Sequence, residues 1–227
     1  MRDANGKRRQ GTESDLGRTV TAAVAGALLL GGAWLVAASE EPEHSYVGVR
    51  KCKSCHRKDV YGDQVAAWRK GVHARAYETL ASEEAHAVAA RSGVVGAPQQ
   101  AEACLRCHVT AHGVRPEWIK FELKISDGVQ CESCHGPGAD YRKRDRMSSR
   151  KRAMRAGLWE SSIEVCERCH NSESPTWDQE RYVRADGTRT GFAYEQAVER
   201  IAHPIPEENR GRVSEIEEAM KEAEKKR

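Results

Sequence analysis

The sequence predicts a mainly α-helical fold with little β structure, in which short helices and loops do not enclose an ordinary apolar core. Aromatic residues are few, with 5 Trp, 6 Tyr and 2 Phe among 227 residues. Apolar residues make up 39% of the chain, and many of them lie in one segment near the N-terminus. All eight cysteines occur in pairs of fixed spacing. A domain of this size needs an interior, so we expect covalently bound groups to supply what the side chains do not.

The first 38 residues are typical of an export segment. Residues 19–38 carry no charge, and five basic residues precede them. About 20 such residues can span a bilayer as a helix, whereas Val36-Ala37-Ala38 offers the small residues of a signal-peptide cleavage site. Residues 1–38 are therefore predicted to be a signal peptide or an N-terminal membrane anchor, with a buried soluble helix as the alternative. Export makes the rest of the chain periplasmic or otherwise extracytoplasmic, held at the inner membrane by residues 19–38 if they are retained.

Four copies of one motif, C-x-x-C-H, account for every cysteine. The copies are Cys52-Lys-Ser-Cys55-His56, Cys104-Leu-Arg-Cys107-His108, Cys131-Glu-Ser-Cys134-His135 and Cys166-Glu-Arg-Cys169-His170. This spacing is the attachment signature of c-type haem, because two thiols on one helical turn form thioethers while the next residue presents an imidazole to the iron. Zinc sites, disulfides and redox dithiols are the alternatives, but a Cys₄ zinc site has no use for a histidine at that position. The sequence thus predicts four covalently attached c-type haems, with iron bound on its proximal side by His56, His108, His135 and His170.

Local patterns predict the elements between the motifs. A polar linker, residues 39–47, precedes the first motif. Helices are expected over residues 57–80, 82–91, 149–157 and 193–202. Alternating apolar and charged residues from Ile119 to Ile125 predict one strand. The tail, residues 206–227, is predicted to be a charged helix with an apolar stripe at Val213, Ile216, Met220 and Ala223.

The overall charge narrows the possible partners. There are 37 basic and 34 acidic residues, a formal net charge of +3, which argues against nucleic-acid binding. Residues 142–155 nevertheless hold eight basic residues against Asp145 alone. This run is predicted to dock an acidic redox partner or to neutralise haem propionates, unless it is simply a solvated surface.

The remaining histidines decide whether each haem iron has a second protein ligand. A haem with two protein ligands passes electrons, whereas one with an open side can bind a small molecule. His73 follows a Trp-bearing helix and His203 precedes Pro204, so both are candidate distal ligands. His112 lies four residues after His108, a reach of about 13 Å at most, too short to reach the other face of the same haem. It either borders an open site as a proton donor or has no role.

Two further histidines are predicted to lie on the surface. His86 falls within a predicted helix, and His44 precedes the first motif. His44 has one alternative role, as a ligand to the haem of a neighbouring protomer.

Several motifs together resemble the cytochrome c-554 type of tetrahaem cytochrome, which accepts electrons from hydroxylamine oxidoreductase in nitrifying bacteria. They are K-C-K-S-C-H with W-R-K-G-V-H-A-R-A, C-L-R-C-H-V, G-V-Q-C-E-S-C-H-G-P-G, C-E-R-C-H-N and I-A-H-P, all within residues 48–205. The resemblance implies a tetrahaem domain over those residues, with His73 and His203 each ligating the haem of another motif. It also implies an open second haem, and a distal histidine shortly after the third motif that serves the first haem. No histidine lies between His135 and His170 here, and Met147 is the predicted replacement.

These observations predict an exported tetrahaem cytochrome that carries electrons between redox partners by haem-to-haem transfer. The donor is expected to be a hydroxylamine-oxidoreductase-like protein or a quinone-linked one. Two alternatives remain open. One is a haem enzyme whose five-coordinate haem binds or reduces a small nitrogen oxide or peroxide, and the other is a protomer of a haem polymer.

Overall fold

The computed structural model describes residues 44–121 and 123–212 and, in the tail, residues 215, 218, 222 and 225. The predicted export segment, residues 39–43 of the linker and the apolar stripe of the tail lie outside these residues. The four described tail residues are helical and exposed. Within the described part of the chain, no helix is both long and apolar enough to cross a membrane.

Ten short α-helices are the main secondary-structure elements of the described residues. They are α1 (Val49–His56), α2 (Gln64–Lys70), α3 (Ala76–Thr79), α4 (Glu83–Arg91), α5 (Glu102–His108), α6 (Cys131–His135), α7 (Arg144–Met147), α8 (Arg150–Arg155), α9 (Ile163–Glu167) and α10 (Tyr194–Ile201). Single 3₁₀ turns lie at Asp59–Tyr61, His73–Arg75, Pro98–Gln100, Pro116–Trp118, Ile125–Asp127 and Glu207–Asn209. The described β structure is one antiparallel hairpin, β1 (Tyr182–Val183) and β2 (Arg189–Thr190), in which Tyr182 pairs with Thr190. The prediction of a mainly helical fold with little sheet is confirmed.

Three of the predicted helices form where the sequence placed them, as α4, α8 and α10. Helix α4 shows why: the Ser82 hydroxyl accepts the Ala85 N–H at 3.1 Å as an N-cap. Two glutamates occupy its first turn, where their negative charges interact favourably with the positive end of the helix dipole. Gly93, with a φ of 69°, then turns the chain away.

The predicted helix over residues 57–80 is wrong as a single element. Gly62 adopts a φ of 93° and ends the turn Asp59–Tyr61. Asp63 then caps a new helix, α2, which ends at Gly71. The two glycines therefore divide the segment and leave His73 in a separate turn rather than on a helix face.

The predicted strand from Ile119 to Ile125 is also wrong. Ile119 makes one isolated parallel bridge, to Tyr46. Phe121 then takes a left-handed φ of 69°, and Ile125 begins a 3₁₀ turn. Because extended backbone cannot continue through a left-handed residue, the alternating pattern never becomes a strand.

The interior is small and partly polar, in line with the aromatic-poor composition. The buried apolar cluster around α8 consists of Tyr141, Ala153 and Ala156. Gln130 and Glu132 are among the largest fully buried side chains. The segment that precedes α6 and the motif on α6 therefore lie at the centre of the described fold.

Candidate haem sites

Each C-x-x-C-H motif lies at the end of a short helix. Helices α1, α5 and α6 end on His56, His108 and His135, and α9 ends at Glu167, the second residue of the fourth motif. In the first three motifs the helix holds both thiols within one turn and leaves the imidazole at its C-terminal end. All eight cysteines are free thiols. Within the described residues, no group of three or more His, Cys, Asp or Glu side chains is arranged to hold a metal ion by itself.

The motifs lie next to one another in a definite order. The Cys52 thiol hydrogen-bonds to Cys131, and this bond together with burial raises the pKa of Cys52. The Cys107 thiol likewise forms a hydrogen bond with the Cys169 thiol. The Cys134 thiol lies near Cys166, where α6 packs against α9. The first motif thus adjoins the third, the third adjoins the fourth, and the fourth adjoins the second.

Two pairs of imidazoles lie at a separation that is compatible with a shared metal ion. The ring centroids of His73 and His170 are 6.0 Å apart at an angle of 68°. Those of His135 and His203 are also 6.0 Å apart, at 89°. A metal ion bonds an imidazole nitrogen at about 2 Å, so two rings sharing one ion have centroids about 6 Å apart. Both predicted distal histidines are therefore placed opposite a proximal histidine of another motif.

Desolvation favours the neutral form that a metal ligand requires in His73, His135 and His170. Desolvation lowers the pKa of His73 and His170. It lowers the pKa of His135 to about 4, with nearby His203 and His56 adding to the effect. The His170 ring also stacks on Phe192, with centroids 5.1 Å apart.

Several of the histidines also have a fixed ring orientation. The Nδ1 atom of His56 lies 3.3 Å from Gln64 Oε1. His108 Nδ1 lies 2.6 Å from the Ala76 carbonyl oxygen, and His203 Nδ1 lies 2.8 Å from that of Ile201. When Nδ1 donates to an oxygen, Nε2 is the nitrogen left for a metal, as is usual for metal-binding histidines. The described residues thus fit the predicted haems at the level of ligand chemistry.

The first and second motifs are placed differently. Among the described residues, neither His56 nor His108 has a second imidazole opposite it at the 6.0 Å spacing seen in the other two motifs. The half-buried His112 lies in the turn after α5. His86 is exposed on α4.

Met147 lies at the end of α7 and is partly buried. It packs against the cluster formed by Tyr141, Ala153 and Ala156. Burial raises the pKa of Tyr141, and the nearby Glu132, Cys52 and Cys131 contribute to the same shift. The cluster that holds Met147 therefore lies beside the thiols of the first and third motifs.

His44 has partners within its own chain. Its Nδ1 lies 3.0 Å from Asp140 Oδ2, and its ring packs so closely on Gly157 that a Cβ there would lie 2.2 Å from His44 Cδ2. The Asp140 side chain also contacts Lys143 and Arg146. The N-terminal end of the described chain is thereby fixed to the loop after the third motif.

Backbone contacts position both candidate distal histidines. The His73 carbonyl accepts the Val129 N–H at 2.9 Å, and Trp68 Nε1 donates to the Val129 carbonyl at 2.8 Å. The Pro204 carbonyl lies against Gly62, where a Cβ would approach it to 2.5 Å. The chain just before α6 therefore places His73, and the turn after α1 places His203.

Sequence reasoning did not single out Glu132, although it lies inside the third motif. It is fully buried, and its carboxylate accepts the N–H groups of Val47 at 2.9 and 3.1 Å, Gly48 at 2.7 Å and Gly138 at 2.6 Å. Burial raises its pKa, whereas these hydrogen bonds lower it. One sequence feature could have pointed to Glu132. The residue before α1 is Gly48, which has no side chain to cap that helix, so another group has to accept the N–H groups at its start.

Comparison with known proteins gives a family for part of the chain. Residues 51–136, which hold the first three motifs, match the family described as cytochrome c554 and c-prime. Cytochrome c-554 from Nitrosomonas europaea is 30% identical over 148 residues, which cover 58% of this chain and 60% of that protein. No solved structure matches the chain significantly. The predicted resemblance to c554-type cytochromes is confirmed over these residues.

Proposed function

We propose that this chain, a c554-type cytochrome by its sequence matches, is an exported tetrahaem electron carrier. Its tetrahaem domain comprises residues 48–205, and the charged C-terminal segment of residues 206–227 follows it. Haem supplies reversible one-electron chemistry when bound. The polypeptide's part is to attach the cofactors, fix their order and exclude water from them.

The observation that carries the proposal is the pair of 6.0 Å gaps between His73 and His170 and between His135 and His203. In each gap one imidazole comes from a C-x-x-C-H motif and the other from a distant part of the chain. Two neutral imidazoles on one iron leave no position for a substrate, which suits a carrier. The adjacency of the four motifs supports transfer from haem to haem.

The first haem needs a different distal ligand, and we propose Met147. Met147 packs against the cluster that contains Tyr141, a residue close to Cys52 and Cys131. Thioether ligation raises a haem potential relative to two imidazoles. The third motif's haem, with His135 and His203, would then accept electrons less readily than the first.

Measuring the intact mass and titrating the protein with a reductant test the proposed carrier function. The mature protein is expected to exceed its polypeptide mass by four haems and to take up four electrons from dithionite. Electron paramagnetic resonance of the oxidised protein should show low-spin signals from two bis-imidazole irons. A mass increase corresponding to zero or two haems, or the absence of a bis-imidazole signal, would refute the assignment as a tetrahaem carrier.

A second candidate function follows from the second motif. Since no second imidazole faces His108 within the described residues, its iron is the best candidate for an open site, and half-buried His112 is the nearest candidate proton donor by sequence. Such a site would bind or reduce a small nitrogen oxide or peroxide. Carbon monoxide added to the reduced protein distinguishes the two functions, because it shifts the Soret band only where an iron is open.

The partners are proposed from the same family resemblance. We expect redox proteins in the periplasm, with a hydroxylamine-oxidoreductase-like or quinone-linked donor. Residues 19–38 would hold the carrier at the inner membrane if they are not removed. N-terminal sequencing of the protein purified from membranes and from periplasm decides between anchor and signal peptide.

A further inference from the structure

Phe121 is an exposed aromatic residue in a backbone conformation that such residues rarely adopt. Its φ is 69°, and 54% of its surface is exposed. A bulky residue at positive φ is uncommon, and a strained residue is retained where the surroundings or the function require it. Phe121 borders a cavity of about 420 Å³ together with Val47, Arg50 and Lys51. These four residues and Arg142 are called the Phe121 face below.

Two basic segments distant in sequence meet on this ring. Lys51 Nζ lies 3.9 Å from the centroid of the Phe121 ring, and Arg142 Cζ lies 5.5 Å from it. Both distances fall within the range of cation–π contacts. An apolar centre with a positively charged rim is the composition of a docking surface for an acidic protein.

The wider charge distribution has the same sign. Residues 48–58 contain five basic residues and no acidic one, and residues 142–155 contain eight basic residues and one acidic one. Some of the second group are engaged within the chain: Lys143 and Arg146 with Asp140, and Arg150 with Glu160. Lys51 and Arg142, the two cations that lie against the ring, each belong to one of these basic segments, although the chain as a whole is close to neutral.

The Phe121 face also adjoins the first haem motif. Lys51 directly precedes Cys52, and the Arg142 guanidinium acts electrostatically on both Cys52 and Glu132. A partner bound here would lie next to the site where the first haem attaches. Electron transfer needs such proximity but only a small, short-lived interface.

We propose that the Phe121 face is the docking surface for an acidic one-electron redox protein, which exchanges electrons with the first haem. This inference rests on the proposed carrier function. For a reduced iron–sulfur donor, one electron leaves the donor's cluster, which is oxidised, and reduces a ferric haem. No atom or proton is transferred.

The test uses the haem-loaded protein and a reduced plant-type ferredoxin as an acidic donor probe. Haem reduction is followed by stopped flow at the Soret band over a range of ionic strength. The Lys51→Gln/Arg142→Gln double variant is expected to react about 10-fold more slowly at low salt, and the difference should vanish at high salt as the charges are screened. Phe121→Ser should slow the reaction at all salt concentrations, because apolar contact is not screened.

Matched controls remove the same charge or apolar area elsewhere. Arg184→Gln/Arg189→Gln alters exposed positions of the β1–β2 hairpin, and Val95→Ser alters a 95% exposed valine after α4. Both controls should react within about twofold of the unmodified protein, since distant surface charges are screened. Equal slowing in test and control variants, no slowing in either, or no reaction with ferredoxin would overturn the proposal.

Two further measurements distinguish a failure of the docking proposal from a failure of the proposed carrier function. Haem content and dithionite uptake are determined on every sample, so loss of the carrier function itself is recognised independently of docking. Binding to phosphatidylglycerol vesicles is measured by sedimentation. A double variant that loses vesicle binding but retains the ferredoxin rate would assign the face to a membrane and overturn the proposal.

Discussion

The Glu132 carboxylate accepts the N–H of Gly48 at 2.7 Å, and this bond joins the third haem motif to the start of the helix that carries the first. The same carboxylate accepts the N–H groups of Val47 and Gly138. The backbone at the start of α1, the carboxylate on α6 and the loop after α6 therefore form one buried unit. This side chain therefore helps to fix the first and third C-x-x-C-H motifs relative to each other.

Replacing Glu132 with glutamine is expected to destabilise the protein by about 2 kcal/mol, because the new amide group cannot accept one of the buried N–H groups. Chemical denaturation of the haem-loaded protein measures the loss. Glu167→Gln is the matched control, since Glu167 occupies the same position in the fourth motif but is exposed. It should change stability by less than about 0.5 kcal/mol, and equal effects of the two substitutions would contradict this role of Glu132.

Those parts of the candidate site that depend on the spacing of nearby residues could be predicted from the sequence. Cys52, Cys55 and His56 define an attachment site by spacing alone, because one helical turn holds all three. Local signals likewise placed three helices: the Ser82 cap and Gly93 for α4, Gly157 for α8, and an apolar face followed by Pro204 for α10. What local patterns could not supply is the burial of Glu132, since Glu167 occupies the same position in its motif yet is exposed.

Long-range contacts account for the remaining differences. The alternation from Ile119 to Ile125 had the period of a strand, but a strand also needs a partner, and only Tyr46 pairs with this segment among the described residues. The left-handed conformation of Phe121 has no signal in the local pattern. Which proximal histidine His73 would face was equally open, since His170 is far away in sequence.

Removing either candidate distal histidine is expected to leave one haem iron with an open coordination position. His73→Ala and His203→Ala should each bind one more carbon monoxide per protein than the unmodified chain, and each should lose one low-spin bis-imidazole signal. Carbon monoxide titration at the Soret band, together with electron paramagnetic resonance, measures both effects. His86→Ala, at an exposed position on α4, should change neither. Unchanged stoichiometry in the His73 or His203 variant would remove that residue from the ligand set.

Gly62→Ala is expected to displace His203. A Cβ at Gly62 would lie 2.5 Å from the Pro204 carbonyl oxygen, and its φ of 93° adds backbone strain. Gly187→Ala is the matched control, with a φ of 82° and no atom within 4 Å of the new Cβ. Both variants should lose about 1–2 kcal/mol to the left-handed conformation, but only Gly62→Ala should weaken the bis-imidazole signal of His135 and His203. An unaltered signal would show that the Pro204 segment adjusts without moving its histidine.

Met147 permits a substitution that separates packing from ligation. Leucine has a similar volume and preserves apolar contacts to within about 1.5 kcal/mol, but it has no sulfur to bind iron. Met147→Leu is therefore expected to retain stability while it loses a sulfur–iron absorption band in the far red and lowers one haem potential. Met154→Leu, at a 40% exposed position on α8, should leave both the band and the potential unchanged. If Met147→Leu leaves the spectrum and the potentials intact, Met147 only packs against Tyr141, Ala153 and Ala156, and the first haem takes its sixth ligand elsewhere or has none.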